Sequence, residues 1–529
     1  PSNNMAIDLK GYTISAVTAG DGLNFGAITD TGTNDGTGIS FTIITTNGGG
    51  AVTQSIASMI VDGAVNILNI DNEDDMTVTI TADAANVIGG ALSLTSAEAT
   101  ADKDILMDVA GSLEVTGVTT LTANTGSAAS NATLIVDKAA TFTGGVVLND
   151  NTGLAILEFE QNNVATIAGN ITAAANNEGT IQMTGTGKTL SGDIGTSAVK
   201  LKEIQVDSAS GNLTGTVYTT LLDVNAAVTL TGAVTVGTAT IDAATLVNGT
   251  LTGTTVTMGA GDVLTTASDL TAAMVVTDAT SSILSSGTVN VTGDINAASA
   301  TDAGIIGITG GTTTFTGNLG TASGTNILTL NVATASRAVI TETANFVDQI
   351  DMEGTGALEI TKAVTSGTVI TAAGSTFAAA DIPATSKIYM PVNLGNAETL
   401  VLLAGRDVNA ITDAINLALV DTAVMDYVSA NASGTHTITA STKAAATAAT
   451  ELAVTKNEAQ SMISAFTAVL DTTTDVAAET AIYNALTANG GYSATEDTAL
   501  SLQIAPQADT IGGSAVATRA MTGTVQGIV

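Results

Sequence analysis

The sequence predicts a mostly β protein: a repetitive, right-handed β-helix (solenoid) occupies most of the chain, and a partly helical region follows it. The 529 residues include no tryptophan or cysteine and only 3% aromatic residues, too few large rings for a globular core of that size. Short segments rich in β-branched residues recur between Gly, Asn, Asp and Ser, as strands do between turns. No proline occurs between Ser2 and Ile382, which favours uninterrupted strand pairing.

The strand segments alternate polar and apolar residues, which is typical of strands with one buried face. Thr255–Met258 and Thr288–Thr292 are examples. A mean hydropathy of +0.39 excludes bulk disorder. A series of β-sandwich domains could be built from the same strands and is the alternative architecture.

A short motif, Gly followed by Asn or Asp and then Ile or Leu, recurs along the chain. Its copies are Gly169–Ile171, Gly192–Ile194, Gly211–Leu213, Gly293–Ile295 and Gly317–Leu319. Three of the four intervals are close to 20 residues, a plausible length for one turn of a β-helix, although chance recurrence is the alternative for so short a motif. Turns of roughly 20 to 24 residues would give about 16 to 19 turns and a stack of roughly 80 to 90 Å.

The pattern changes near residue 395, so we predict a repetitive β-helix over 1–395 and a mixed, substantially helical region over 396–529. Arg406–Val420 carries Val408, Ile411, Ile415 and Leu419 at helical spacing. Further helical segments are predicted in Ser441–Leu470, Val476–Leu486 and Thr510–Val529.

The charge balance limits the partners. With 49 acidic and 13 basic residues, the net charge is −36, which disfavours nucleic acid and anionic lipid and suits hard cations such as calcium. The acidic run Asp71, Glu73, Asp74 and Asp75 is the candidate Ca2+ site, and Asn34–Gly36 and Asn149–Asn151 are lesser candidates. A solvated turn is the alternative for each. No apolar run is long enough for a transmembrane helix.

Catalysis is not expected. The chain has a single histidine, His436, which we interpret as a surface-loop residue, and it has no cysteine for a Cys–His pair. Carboxylate pairs could cleave glycosides, but the lack of tryptophan argues against a sugar-binding cleft.

The C-terminal region carries the most specific resemblance. Ala478–Leu486 precedes Ser501–Ala508, which contains Pro506, and Ala515–Met521 follows. This order resembles the segment just before the translocator barrel of autotransporters. The body resembles the passengers of the rickettsial outer membrane protein B and surface cell antigen family, which have similar Gly-Asn-Ile-Gly stretches. The resemblance implies export through a C-terminal barrel that this sequence lacks, and a place on the outer bacterial surface.

Two functions are therefore expected as alternatives. The first is an extracellular, outer-membrane-associated structural protein that self-associates into a coat (surface layer) or a fibre. The second is an adhesin stalk that contacts a host or another surface. The low aromatic count, which leaves few candidates for an exposed binding patch, favours the first.

Overall fold

The structure is a computed structural model, and it describes residues 24–25, 27–29, 41–45, 52–69, 75–96, 103–123, 130–276, 278–298, 303–321, 325–361, 367–372, 374–391, 394–422, 425–451 and 468. It is 54% strand and 5% helix, and its parallel stacked sheets form a β-solenoid. The prediction of a mostly β, repetitive solenoid is confirmed. The chain divides into two compact units, Pro1–Met274 and Val275–Val529.

The first unit winds its strands into three parallel faces. Face 1 consists of Asn24–Phe25, Val52–Ile56, Met76–Ile80, Ile105–Val109, Ala132–Val136, Ala155–Phe159, Glu178–Met183, Leu201–Val206, Val217–Val224, Val234–Ile241, Leu251–Met258 and Leu270–Val276. Face 2 consists of Ile28–Thr29, Met59–Val61, Ala85–Ile88, Ser112–Val115, Ala140–Phe142, Ala165–Ala168, Lys188–Leu190, Gly211–Leu213, Val228–Leu230, Thr245–Val247 and Val263–Thr266. Face 3 consists of Phe41–Thr45, Val65–Asn69, Leu92–Ser96, Thr119–Thr122, Val146–Asn149 and Ile171–Ala173.

The length of a turn changes along the first unit. Ile105 pairs with Met76, 29 residues before it, whereas Val217 pairs with Val234, only 17 residues after it. The shortening occurs because face 3 merges into face 1. Single bridges connect Ile171, on face 3, to Ile194 and Ile194 to Val217. Val217 is the first residue of an eight-residue strand of face 1.

Apolar columns fill the interior of this unit. Inward-facing residues on face 1 pair from turn to turn, so each packs on its neighbours above and below. One column with no exposed surface consists of Phe159, Met183, Val206, Val224, Ile241 and Met258. Burying each such side chain contributes about 1.5–3 kcal/mol, so small aliphatic residues suffice where aromatic residues are scarce.

The second unit contains two further sets of parallel strands. One set consists of Ser282–Ser285, Ala303–Ile308, Ile327–Val332, Asn345–Met352, Thr368–Thr371 and Thr399–Ala404. The other consists of Val289–Thr292, Thr312–Phe315, Arg337–Ile340, Ala357–Ile360 and Lys387–Tyr389. Ile295–Ala297 adds a short strand that bridges to Leu319, and a 3-10 turn covers Ala379–Asp381.

Beyond the boundary predicted near residue 395, the strand Thr399–Ala404 still pairs in parallel with Thr368–Thr371. Thr399–Ala404 pairs in antiparallel fashion with Thr435–Thr442, which forms a hairpin with Met425–Ala432. The helix Asn409–Ala418 lies within the predicted Arg406–Val420 segment, and it buries Ile411 and Ile415. A second helix covers Ala445–Glu451. The helices predicted in Val476–Leu486 and Thr510–Val529 lie outside the described residues.

Candidate functional site

The recurring glycine motif forms one corner of the solenoid, between faces 2 and 3. Gly192 stacks on Gly169 so closely that a Cβ atom there would collide with the Gly169 carbonyl, and Gly215, Gly232 and Gly249 repeat the contact in later turns. A glycine is required because no side chain fits between two stacked main chains.

The Asn or Asp of the motif connects successive turns. The main-chain N–H of Asp193 donates to Oδ1 of Asn170 at 3.0 Å, and the N–H of Thr216 donates to Oδ1 of Asp193 at 2.8 Å. In the second unit, the N–H of Asn318 donates to Oδ1 of Asp294 at 2.8 Å. These side chains therefore have a structural role, because each one connects its turn to the next by a hydrogen bond.

One predicted copy of the motif is not equivalent to the others. Gly211–Leu213 is a strand on face 2, and the corner glycine of that turn is Gly215. The signal that marks the corner is Gly-x-aliphatic, because only the glycine and the inward aliphatic residue are sterically required.

The predicted calcium site is mostly beyond the described residues. Asp71, Glu73 and Asp74 lie outside them, as does Asn34–Gly36. Asp75 is exposed, and its Oδ1 accepts the main-chain N–H of Asp104 at 3.1 Å. Asp150 is buried, and its Oδ1 accepts the N–H of Ala155 at 2.7 Å. Within the described ranges, no three His, Cys, Asp or Glu residues are grouped as metal ligands.

Acidic side chains on the outer side of face 1 influence one another over a distance, since Asp108 and Glu158 both lie in line with Ile135 of the strand between them. Burial raises the pKa of Asp108, and the negative charges of Glu160 and Glu158 raise it further. Burial likewise raises the pKa of Glu203, and Asp223 and Asp207 add to the effect while Lys202 opposes it. The outer surface thus holds acidic groups that repel each other when ionised.

The interpretation of His436 as a surface residue was wrong. The side chain has no exposed surface and lies on the strand Thr435–Thr442. Its Nε2 lies 2.8 Å from the Arg406 carbonyl oxygen, so Nε2–H donates there, and Nδ1 accepts from the Thr412 hydroxyl at 2.9 Å. Both ring nitrogens are therefore used within the fold, and neither is presented to a substrate.

An open groove runs along the outer side of face 2, with a volume of about 680 Å3. Val164, 93% exposed, lies at one end. Thr189, Asn212, Thr229, Leu246 and Thr265 follow one another from turn to turn along it. The groove could receive an extended chain, and it was not apparent from the sequence because the register between turns was unknown.

A second group that the sequence did not reveal is Lys188, buried beside Asn163 and Asp137. From the sequence pattern alone, an isolated lysine is expected on the outer side of its strand. Only the pairing between successive turns in the structure shows that Lys188 is buried.

No family model, curated protein or solved structure matches the chain. Among the described residues, no helix is long and apolar enough to cross a membrane.

Proposed function

We propose that this chain is an extracellular structural protein of a bacterial cell surface that self-associates into a coat or fibre and has no enzymatic activity. The observation that carries the proposal is the set of acidic side chains on the outer side of the face 1 strands, whose negative charges repel each other. Beyond the effect of burial, the charges of Glu160 and Glu158 raise the pKa of Asp108, and the charges of Asp223 and Asp207 raise the pKa of Glu203. A bridging cation or a neighbouring copy would relieve this repulsion.

Calcium is the proposed cation, because it is a hard ion that binds carboxylate and carbonyl oxygens and is available outside cells. The net charge of −36 makes association of copies unfavourable unless it is neutralised. The proposed assembly is therefore dependent on divalent cations. The outer-membrane location rests on the resemblance to autotransporter passengers and remains a proposal with it.

Electron microscopy of the purified chain tests the proposal, once with roughly 5 to 10 mM calcium and once with chelator. We expect ordered sheets or filaments that dissolve in chelator. The double variant Asp108→Asn/Glu158→Gln should weaken the calcium requirement, whereas the exposed face 2 control Glu114→Gln should leave it unchanged. Isolated single particles under both conditions would overturn the proposal.

An adhesin stalk is the second candidate, and the groove on face 2 favours it. The exposed Val164 and the half-exposed Leu246, which is 38% exposed, give this groove apolar contact points between threonine and asparagine side chains. Binding of cells or extracellular matrix by calcium-free single particles, with loss of binding on Val164→Asp, would support this alternative over the coat.

A further inference from the structure

Three side chains from successive turns of the first unit meet at the corner between faces 1 and 2. Asp137 follows the strand Ala132–Val136, Asn163 precedes Ala165–Ala168, and Lys188 begins Lys188–Leu190. Lys188 has no exposed surface and Asp137 is 7% exposed. A fully buried lysine is rare in proteins unless it is paired.

The Lys188 amine is held directly against the Asn163 side-chain amide. Nζ lies 3.0 Å from Oδ1 of Asn163 and 2.8 Å from the main-chain oxygen of Asp137. Nδ2 of Asn163 donates to the same Asp137 oxygen at 2.9 Å. One main-chain carbonyl group thus holds the amine and the amide side by side, with Nζ 3.0 Å from the oxygen bonded to Cγ of Asn163.

The Asp137 carboxyl group interacts electrostatically with Lys188, although the two charged groups form no direct ion pair. Its Oδ1 is buried and, within the described part of the chain, has no hydrogen-bond partner. Burial raises the pKa of Asp137, and the charges of Asp108 and Glu160 raise it further; the Gln161 side chain and the Lys188 ammonium oppose this. Burial also lowers the pKa of Lys188. The neutral amine and the protonated carboxyl are therefore both favoured relative to exposed groups.

We propose that Lys188 and Asn163 form an intramolecular isopeptide bond, with Asp137 as the proton carrier. The lone pair of the neutral Nζ attacks Cγ of Asn163, and a C–N bond forms. The Asp137 carboxyl, whose Oδ1 is not held by a hydrogen bond, turns toward Nδ2 and gives it a proton; the Cγ–Nδ2 bond breaks, and ammonia leaves. Asp137 then takes the surplus proton from Nζ and returns to its starting state. An amine and an amide become a new amide and ammonia, and no oxidant or co-reactant is needed.

The bond would connect two successive turns, since Asn163 and Lys188 are 25 residues apart. It would act as a covalent cross-link in a chain that contains no cysteine, and a cross-link of this kind restricts the unfolded chain. The inference is independent of the coat and adhesin proposals, because it concerns the interior of the unit.

Mass spectrometry of the full-length purified chain after digestion at glutamate residues tests the inference. Cleavage after Glu160, Glu178 and Glu203 places Asn163 on peptide 161–178 and Lys188 on peptide 179–203. We expect the two peptides to remain joined, with a combined mass about 17 Da below their sum, the mass of one ammonia. Separate peptides with a free Lys188 amine would show that the lysine is only a buried hydrogen-bond donor and would overturn the inference. A loss of about 17 Da on peptide 161–178 alone, from a succinimide at Asn163 or from cyclisation of its N-terminal Gln161, together with a free Lys188 amine would also overturn it.

Variants separate the proton carrier from the reacting pair. Asp137→Asn, which is close to isosteric, should leave the circular dichroism spectrum unchanged and prevent the joining of the peptides. Lys188→Met should prevent it as well. Lys138→Arg, at the partly exposed lysine next to Asp137, is the matched control and should retain the joined peptides. Joined peptides in Asp137→Asn would refute the role of Asp137.

Discussion

At the scale of single residues, steric limits decide which sequence signals are reliable. The sequence revealed corner glycines such as Gly192, which stacks directly on the Gly169 carbonyl, because no other residue fits there, but it assigned Gly211 in place of Gly215. It could not reveal the surroundings of His436, because a buried histidine is paired with groups distant in sequence. Thr412 is 24 residues away and Arg406 is 30, and no local pattern encodes such contacts.

The corner glycines give a prediction at this scale. Gly192→Ala should lower the free energy of unfolding by about 2–3 kcal/mol, because its Cβ would overlap a main-chain carbonyl that cannot move without disturbing two turns. Chemical denaturation followed by circular dichroism measures the change. Gly310→Ala is the control, since its Cβ would meet nothing closer than the Ser286 oxygen at 3.5 Å, and we expect a change within about 0.5 kcal/mol. Equal losses in the two variants would contradict the steric argument.

At the scale of the element, the unit of structure is one turn of the solenoid. Alternation along the chain was enough to predict the strands and their inward faces. It could not predict the turn length, because the sequence does not specify how many residues separate face 3 from face 1. Nine residues separate the face 3 strand that ends at Thr122 from the face 1 strand that begins at Ala132. No residues separate the two faces in Val217–Val224, where they form one strand. The hairpin Met425–Thr442 was also missed, since its two strands lie in a region whose clearest signal was helical.

Removal of a whole turn tests this interpretation. Val217, Val234 and Leu251 are paired in register, so deleting residues 234–250 should place Leu251 on Val217 and leave every column intact. Deleting 234–251 should turn Val256 and Met258 outward, because a shift of one residue exchanges the two sides of a strand. We expect the first variant to retain its β spectrum and unfold cooperatively in urea, and the second to lose both. Equal behaviour of the two deletions would contradict the proposed register.

At the scale of the whole molecule, an excess of negative charge dominates the response to solution conditions. The pKa is raised, with burial as the largest cause, at Asp108, Asp137, Asp150, Glu203, Asp351 and Asp421. The folded chain therefore binds more protons than the unfolded chain at pH values above the ordinary 3.8 of aspartate and 4.5 of glutamate. By linkage, the free energy of unfolding falls as the pH rises through the raised pKa values.

We accordingly expect a higher urea midpoint at about pH 5 than at about pH 8. Part of the difference should disappear at about 1 M salt, since salt screens the repulsion between partly exposed carboxylates but does not relieve burial. Urea titrations at the two pH values and two salt concentrations measure this. A midpoint that increases with pH would show that favourable ion pairs, not repulsion and burial, control the titration.

The corner between faces 3 and 1 has a practical consequence. Faces 2 and 3 are separated by a three-residue glycine corner in most turns, whereas the connection from face 3 to face 1 varies freely in length while the flanking strands stay in register. Ala174, Ala175 and Asn176 form one such connection and are exposed. Foreign peptides could therefore be inserted after Ala175 at little cost to the scaffold, which makes this corner a natural position for epitope display and for sequence drift during evolution.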